Sequence, residues 1–252
     1  MQYPDLKSFL ADAKTVLTKG PVALILAEDA AELEATIRHH GDCGFKQVCV
    51  FAQPELDVPI DLIANQHVIF YDHTADQSME RLINQVIAAA GDIWLYYCFN
   101  AEYLFFPFCE TRTVGELLTF HAEERRDAML TYVIDIYAKD LGRYRNGVSL
   151  EEAHLDRSGY YALARKKRPD SGDPQERQLD FYGGLRWRYE EHVPQDKRKI
   201  DRIALFRAQP ELLLRDNHTF SDEEYNTYAC PWHNNLTAAI MSFRTAKALK
   251  TN

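Results

Sequence analysis

The chain has 252 residues, 46% of them hydrophobic, a formal net charge of −9 and a pI of about 5.5. That length can bury one larger core, while the negative balance leaves no general basic field for a phosphate backbone, so nucleic acid is not an expected partner. Five cysteines (Cys43, Cys49, Cys98, Cys109 and Cys230), odd in number and without paired C-x-x-C spacing, exclude a disulfide scaffold and fit a reducing, cytoplasmic compartment.

Residues 5–18 carry Leu6, Phe9, Leu10, Ala13, Val16 and Leu17 on one helical stripe, ended by Gly20 and Pro21. Val22–Ala27 is a short, wholly apolar run before Glu28 and Asp29, the pattern of a buried parallel strand ending in a polar loop. Helical spacing returns over 30–42, followed by strands over Val48–Phe51 and Val68–Tyr71, a helix over Met79–Ala90 and a strand over Ile93–Phe99. This alternation predicts an α/β fold with a mainly parallel, Rossmann-like sheet flanked by helices. Residues 165–178 are charged and rich in breakers, which predicts a solvated loop or mobile flap. From Phe181 the chain has no clear period and is expected as an irregular C-terminal third of one domain. No apolar run reaches membrane-spanning length and the N-terminus lacks signal-peptide character, so the expectation is a soluble protein, compatible with peripheral association.

Ligands of open α/β sheets sit beyond the carboxyl ends of the strands, which directs attention to Glu28-Asp29 and Asn100–Glu102. The stretch from Leu24 through Glu28, Glu34 and His39-His40 to Gly44-Phe45 resembles the opening of family 2 glycosyltransferases. A second stretch is more specific: Trp94, Glu102, Phe106-Pro107, Cys109-Glu110 and then Asp135-Ile-Tyr137 are similar to the bacterial members' catalytic segment. Tyr182-Gly183-Gly184-Leu-Arg186-Trp-Arg188, the Ile200–Arg207 stretch, Asn217-His218 and Pro231-Trp-His233 continue the likeness in order. The resemblance implies a GT-A fold, with residues 20–145 as the nucleotide-sugar-binding core and 146–252 as the acceptor side. It further implies a hexosyltransferase-type activity that moves a sugar from a nucleotide-diphosphate donor to a glycan or other hydroxyl acceptor.

The family's Asp-x-Asp motif is degenerate here. With Glu102, Pro107, Cys109 and Glu110 fixing the register, the two Asp positions fall on Phe99 and Ala101, neither of which can ligate a metal. Sliding by one residue gives Asn100-Ala101-Glu102, an acidic pair that loses the downstream match. Three outcomes stay open. Mn²⁺ or Mg²⁺ is held differently, by Glu102 with His218 or His233. Or the diphosphate is neutralised without metal by Arg186, Arg188, Arg202 or Arg207, whose guanidinium forks match phosphate oxygens. Or donor chemistry is lost, leaving a pseudo-glycosyltransferase that binds a glycan, a nucleotide or a partner protein. On the catalytic readings Glu102 stands at the metal or phosphate, Asp135 is the candidate base, and Glu28, Asp29 and Asn100 adjoin the donor. Plainer roles compete with each: helix capping for Glu28 and Asp29, ion pairing for Glu102 and Asp135, and a half-exposed strand for Arg186 and Arg188. Cys230-Pro-Trp-His233 has C-x-x-H spacing but no second ligand pair nearby.

Overall fold

In the computed structural model, which describes residues 1–157, 159–167, 172–228 and 236–251, the chain opens with β1 (Gln2–Tyr3), α1 (Leu6–Ala11) and α2 (Ala13–Val16). The single helix expected over 5–18 is therefore broken, and it breaks at Asp12. That residue leaves helical geometry while its carboxylate accepts from the Tyr3 hydroxyl at 2.7 Å, a bond that competes with the helix. Next come β2 (Val22–Ala27), α3 (Leu33–Asp42), β3 (Gln47–Ala52), β4 (Gln66–Phe70), α4 (Ser78–Ala89) and β5 (Trp94–Phe99), close to the bounds that periodicity predicts. All of β2 is buried, as expected for a strand covered on both faces.

A two-residue turn leads to β6 (Glu102–Phe105), and α5 (Val114–Glu123) follows. Thr113 and Glu116 close a reciprocal capping box at the start of α5, each satisfying a backbone N–H of the other. The rest comprises β7 (Ala128–Ala138), β8 (Ala153–Leu155), β9 (Tyr161–Lys166), β10 (Pro174–Tyr182), α6 (Gly184–Arg188), β11 (Asp201–Arg207), β12 (Ala238–Ser242) and α7 (Arg244–Thr251).

The main sheet runs β1-β4-β3-β2-β5-β11-β7-β12-β6, with β8 paired to β7 off this path. From β1 to β5 every pairing is parallel; β11 is antiparallel to both β5 and β7, and β12 is parallel to β7 but antiparallel to β6. Among the described residues β11, β6 and the off-path β8 run against the rest, and the carboxyl ends of β2, β5, β7 and β12 share one edge. The fold is mixed α/β with a mostly parallel central sheet flanked by helices. Among the described residues no helix is long and apolar enough to cross a membrane.

The sheet also curls. β6 begins just after β5 ends, yet it pairs with β12 at the far end of the strand order. Ala101 makes the turn in left-handed backbone (φ 59°), donating its N–H to Thr36 Oγ1 at 2.9 Å and accepting from Phe243 N–H at 3.1 Å. These two bonds tie the turn to α3 on one side and to α7's approach on the other.

The C-terminal third contains long irregular stretches, as expected, but also supplies β11 and β12 to the interior of the sheet. Part of the stretch expected as a loop over 165–178 belongs to the β9–β10 hairpin, while 168–171 lie outside the described residues. Arg165 explains the difference: its charge is answered internally, by Asp180 and Asp201 at 2.7 Å each. Arg186 and Arg188 lie on a short helix rather than the strand their alternation predicts. Gly183 and Gly184, both at positive φ, reverse the chain just before them, and a Cβ on Gly183 would come within 2.3 Å of the Tyr160 ring.

Candidate functional site

Beyond the carboxyl ends of β2 and β5, the buried Asn100 amide organises the loop that follows β2. Its Oδ1 accepts from Glu28 N–H at 2.9 Å, and its Nδ2 donates to Asp29 Oδ1 at 2.7 Å and to the Ala31 carbonyl at 2.9 Å. Asp29 Oδ1 also accepts from Ala31 N–H, closing a turn ahead of α3, whose N-cap Glu32 makes no side-chain cap, so neither Glu28 nor Asp29 caps the helix. Both acidic side chains then meet α7. Arg244 donates from Nε and Nη2 to the two Glu28 oxygens at 2.9 and 2.7 Å, and Lys247 Nζ lies 2.8 Å from Asp29 Oδ2.

Glu102 sits fully buried behind this loop. Arg202, from β11, donates to both carboxylate oxygens at 2.6 and 3.1 Å, Ser242 Oγ donates at 2.9 Å and Phe99 N–H at 3.0 Å. Burial alone would raise the Glu102 pKa, but the Arg202 charge and these hydrogen bonds hold it below the usual carboxylate value. With both oxygens committed, Glu102 is a structural ion-pair partner here and does not offer a carboxylate to a metal. The Arg202 guanidinium lies over the rings of Tyr97 and Phe99, 5.8 and 5.4 Å from their centroids.

Asp135, the candidate base, is likewise paired. It accepts from Arg186 Nε at 3.0 Å and from Thr245 Oγ1 at 2.8 Å, and it lines neither cavity described below. Arg186 in turn donates to the carbonyls of Lys197 and Lys199, fixing the turn that carries those two lysines. His218 is half-buried, stacked on Tyr97 and bonded through Nδ1 to its hydroxyl at 3.0 Å. Burial, then the charges of Arg202, Arg244, Arg186 and Lys197, push its pKa well below that of a free imidazole.

Two adjoining cavities of about 500 and 440 Å³ open on this edge of the sheet. Glu28, Lys197, Lys199, Asp216, His218 and Arg244 line both. The larger extends over Leu26, Met79 and Phe99 with His73 and Gln77 at its rim; the smaller reaches Asp29, Arg186, Arg202, Thr245 and Lys247. Of the residues singled out from sequence, Glu28, Asp29, Arg186, Arg202 and His218 thus converge, while Asn100, Glu102 and Asp135 stand behind the wall. Arg188 turns aside to Asp156 at 3.0 Å. Arg207 pairs with Asp92 and Asp127 and is aligned with Trp94 at the start of β5, the opposite end of the strand. His233 and Cys230 lie outside the described residues. Among the described residues no group of three His, Cys, Asp or Glu could hold a metal ion. Sequence reasoning missed Lys197, Lys199, Arg244 and Lys247, which lie in stretches without clear periodicity or motif.

No protein-family model matches the chain, and no curated protein matches it. Among solved structures, a UDP-glucose pyrophosphorylase from Acinetobacter baumannii is similar with a TM-score of 0.41 and 6% identity, covering 92% of both chains. A UTP-bound UGPase from the same organism gives a TM-score of 0.36 and 7% identity, covering 91% of this chain and 92% of its own. Likenesses at this level carry no weight for function.

Proposed function

We propose that the joined cavities bind a nucleoside-diphosphate sugar and that the chain passes the sugar to a hydroxyl acceptor such as a glycan, in the manner of the family 2 glycosyltransferases its motifs resemble. The observation that carries this reading is the convergence of Lys197, Lys199, Arg244 and His218 around one cleft at the carboxyl ends of β2 and β5. The larger cavity, apolar at Leu26, Met79 and Phe99 and polar at His73 and Gln77, suits a nucleoside. The smaller suits the sugar and its acceptor.

In the transfer, the acceptor oxygen bonds to the anomeric carbon as the bond from that carbon to phosphate breaks, and the electron pair leaves on the diphosphate. Lysine and arginine side chains of the cleft meet that growing charge. Mn²⁺ or Mg²⁺ on Glu102 is not part of this reading, because Arg202 already occupies that carboxylate. The acceptor's proton needs a carboxylate within the cleft. Of the three lining both cavities, Glu28 pairs with Arg244 and Asp196 with Lys197, whereas Asp216 stands outside any ion pair among the described residues. We assign the base to Asp216.

A second reading, a binder without turnover, is favoured by one observation: Glu102 and Asp135, the carboxylates expected to act, are both locked in ion pairs. Thermal shift with UDP and UDP-sugars in EDTA and in Mn²⁺, followed by assay of UDP release over a panel of acceptors, separates the two. A melting point raised by UDP-sugar in EDTA, with release abolished in Asp216→Asn, supports transfer; a raised melting point without release supports the binder. No shift with any nucleotide removes transfer and nucleotide binding alike and leaves a glycan or a partner protein as the ligand of the binder.

A further inference from the structure

We infer that Arg244 is the fixed cation that receives the ligand's diphosphate, seated on Phe99 and held ready by Glu28. The guanidinium carbon of Arg244 lies 3.6 Å from the centroid of the Phe99 ring, a stacked cation–π contact, and Phe99 itself is 4% exposed. The ring fixes the plane of the guanidinium, and the two-point grip of Glu28 fixes its rotation in that plane. Long arginine side chains are ordinarily free to turn; this one is oriented before any ligand arrives, so little rotamer entropy remains to be lost on binding.

Accessibility separates this pair from its neighbour. The Glu102–Arg202 pair is sealed, at 0% and 3% exposure of the two side chains, whereas those of Arg244 and Glu28 are 38% and 31% exposed and line both cavities. Arg244 therefore stands at the seam where the two cavities join. A ligand that places its nucleoside in one and its sugar in the other must lay its diphosphate across that seam. Two oxygens of one phosphate present the fork with the same two-point geometry as the Glu28 carboxylate, with more negative charge. Glu28 is thus a placeholder that the phosphate displaces, beside Lys197 and Lys199 of the 196–199 turn, which pair with Asp196 at 3.6 Å and Asp180 at 3.4 Å. On this account a guanidinium rather than a divalent ion neutralises the leaving group. The naming of a diphosphate rests on the nucleotide-sugar reading above; the capture of an anion by Arg244 does not.

Titration calorimetry in EDTA with inorganic pyrophosphate, uridine and UDP tests this on the full chain and three variants. UDP and pyrophosphate should bind the unaltered protein, and Arg244→Ala should weaken both by at least about tenfold while leaving uridine unchanged. Arg244→Lys keeps the charge but loses the fork and the stacking, and should recover only part of the loss. Glu28→Gln removes the competing carboxylate and should tighten pyrophosphate several-fold, a gain that a purely structural role for the pair does not produce. UDP bound equally well by the unaltered protein and Arg244→Ala overturns the inference and leaves the nucleotide-sugar reading standing. Pyrophosphate binding that depends on Arg244, without any binding of UDP or UDP-sugar, has the opposite meaning. Loss of uridine together with UDP in Arg244→Ala, or weaker pyrophosphate binding in Glu28→Gln, also overturns it.

Discussion

A carboxylate sealed from water persists only where its charge is answered, and Glu102 is answered by Arg202, Ser242 and a backbone N–H. Removing the acid is worse than never having had the pair, because Arg202 would remain buried with its charge uncompensated. Glu102→Ala is expected to cost about 3–5 kcal/mol in denaturant unfolding, and a loss under about 1 kcal/mol would show that Arg202 finds another partner. Glu102 could be singled out from its motif, but its role could not. Arg202 is a hundred residues further along, and nothing local to either residue records that the curl of the sheet brings them together. The same holds for Asp135, whose partners Arg186 and Thr245 arrive from two later helices.

At the scale of elements, short apolar runs separated by helical periods were legible as β2 to β5 with α3 and α4, because burial on both faces of a parallel sheet imposes that pattern. Where buried positions carry charge the pattern dissolves. β11 holds Asp201 and Arg202 among its buried residues, each satisfied by an ion pair, so its sequence does not read as interior strand. The loop after β2 depends on a similar hidden device, since Asn100 satisfies Glu28, Asp29 and Ala31 at once. Asn100→Ala should lower stability by roughly 1–3 kcal/mol and speed amide exchange over residues 28–31. Asn100→Asp, although it restores acidity to the motif, should be the more damaging change, because it sets a second carboxylate 2.7 Å from Asp29. Melting curves ranking the two variants the other way would refute this.

Across the whole molecule, the folded surroundings shift several titratable groups in the direction that favours unfolding in acid, Glu102 and His218 among them. The folded-state pKa of Glu102 is lowered, so as pH falls the unfolded chain takes up that proton first, and the pair's contribution is lost as pH drops through the folded value. His218 has its pKa lowered as well, and an unfolded imidazole binds its proton below about pH 6.5 while the folded one does not. Both effects favour unfolding in acid, with His218 acting first. His39, His40, His67 and His121 are lowered by burial in the same way, so melting temperature should begin to decline as pH falls through about 6.5, and His218→Gln should make that upper limb shallower while leaving the lower one. An unchanged limb in the variant would remove His218 from the account.

The rims of the main sheet have a bearing of their own. Each ends in a very short strand, two residues in β1 and four in β6, so neither side exposes a long ladder of unpaired backbone groups. A wide, mostly parallel sheet is a standing template for runaway polymerisation. Among the described residues the template is cut short at both borders, which removes the backbone ladder along which a second copy would add.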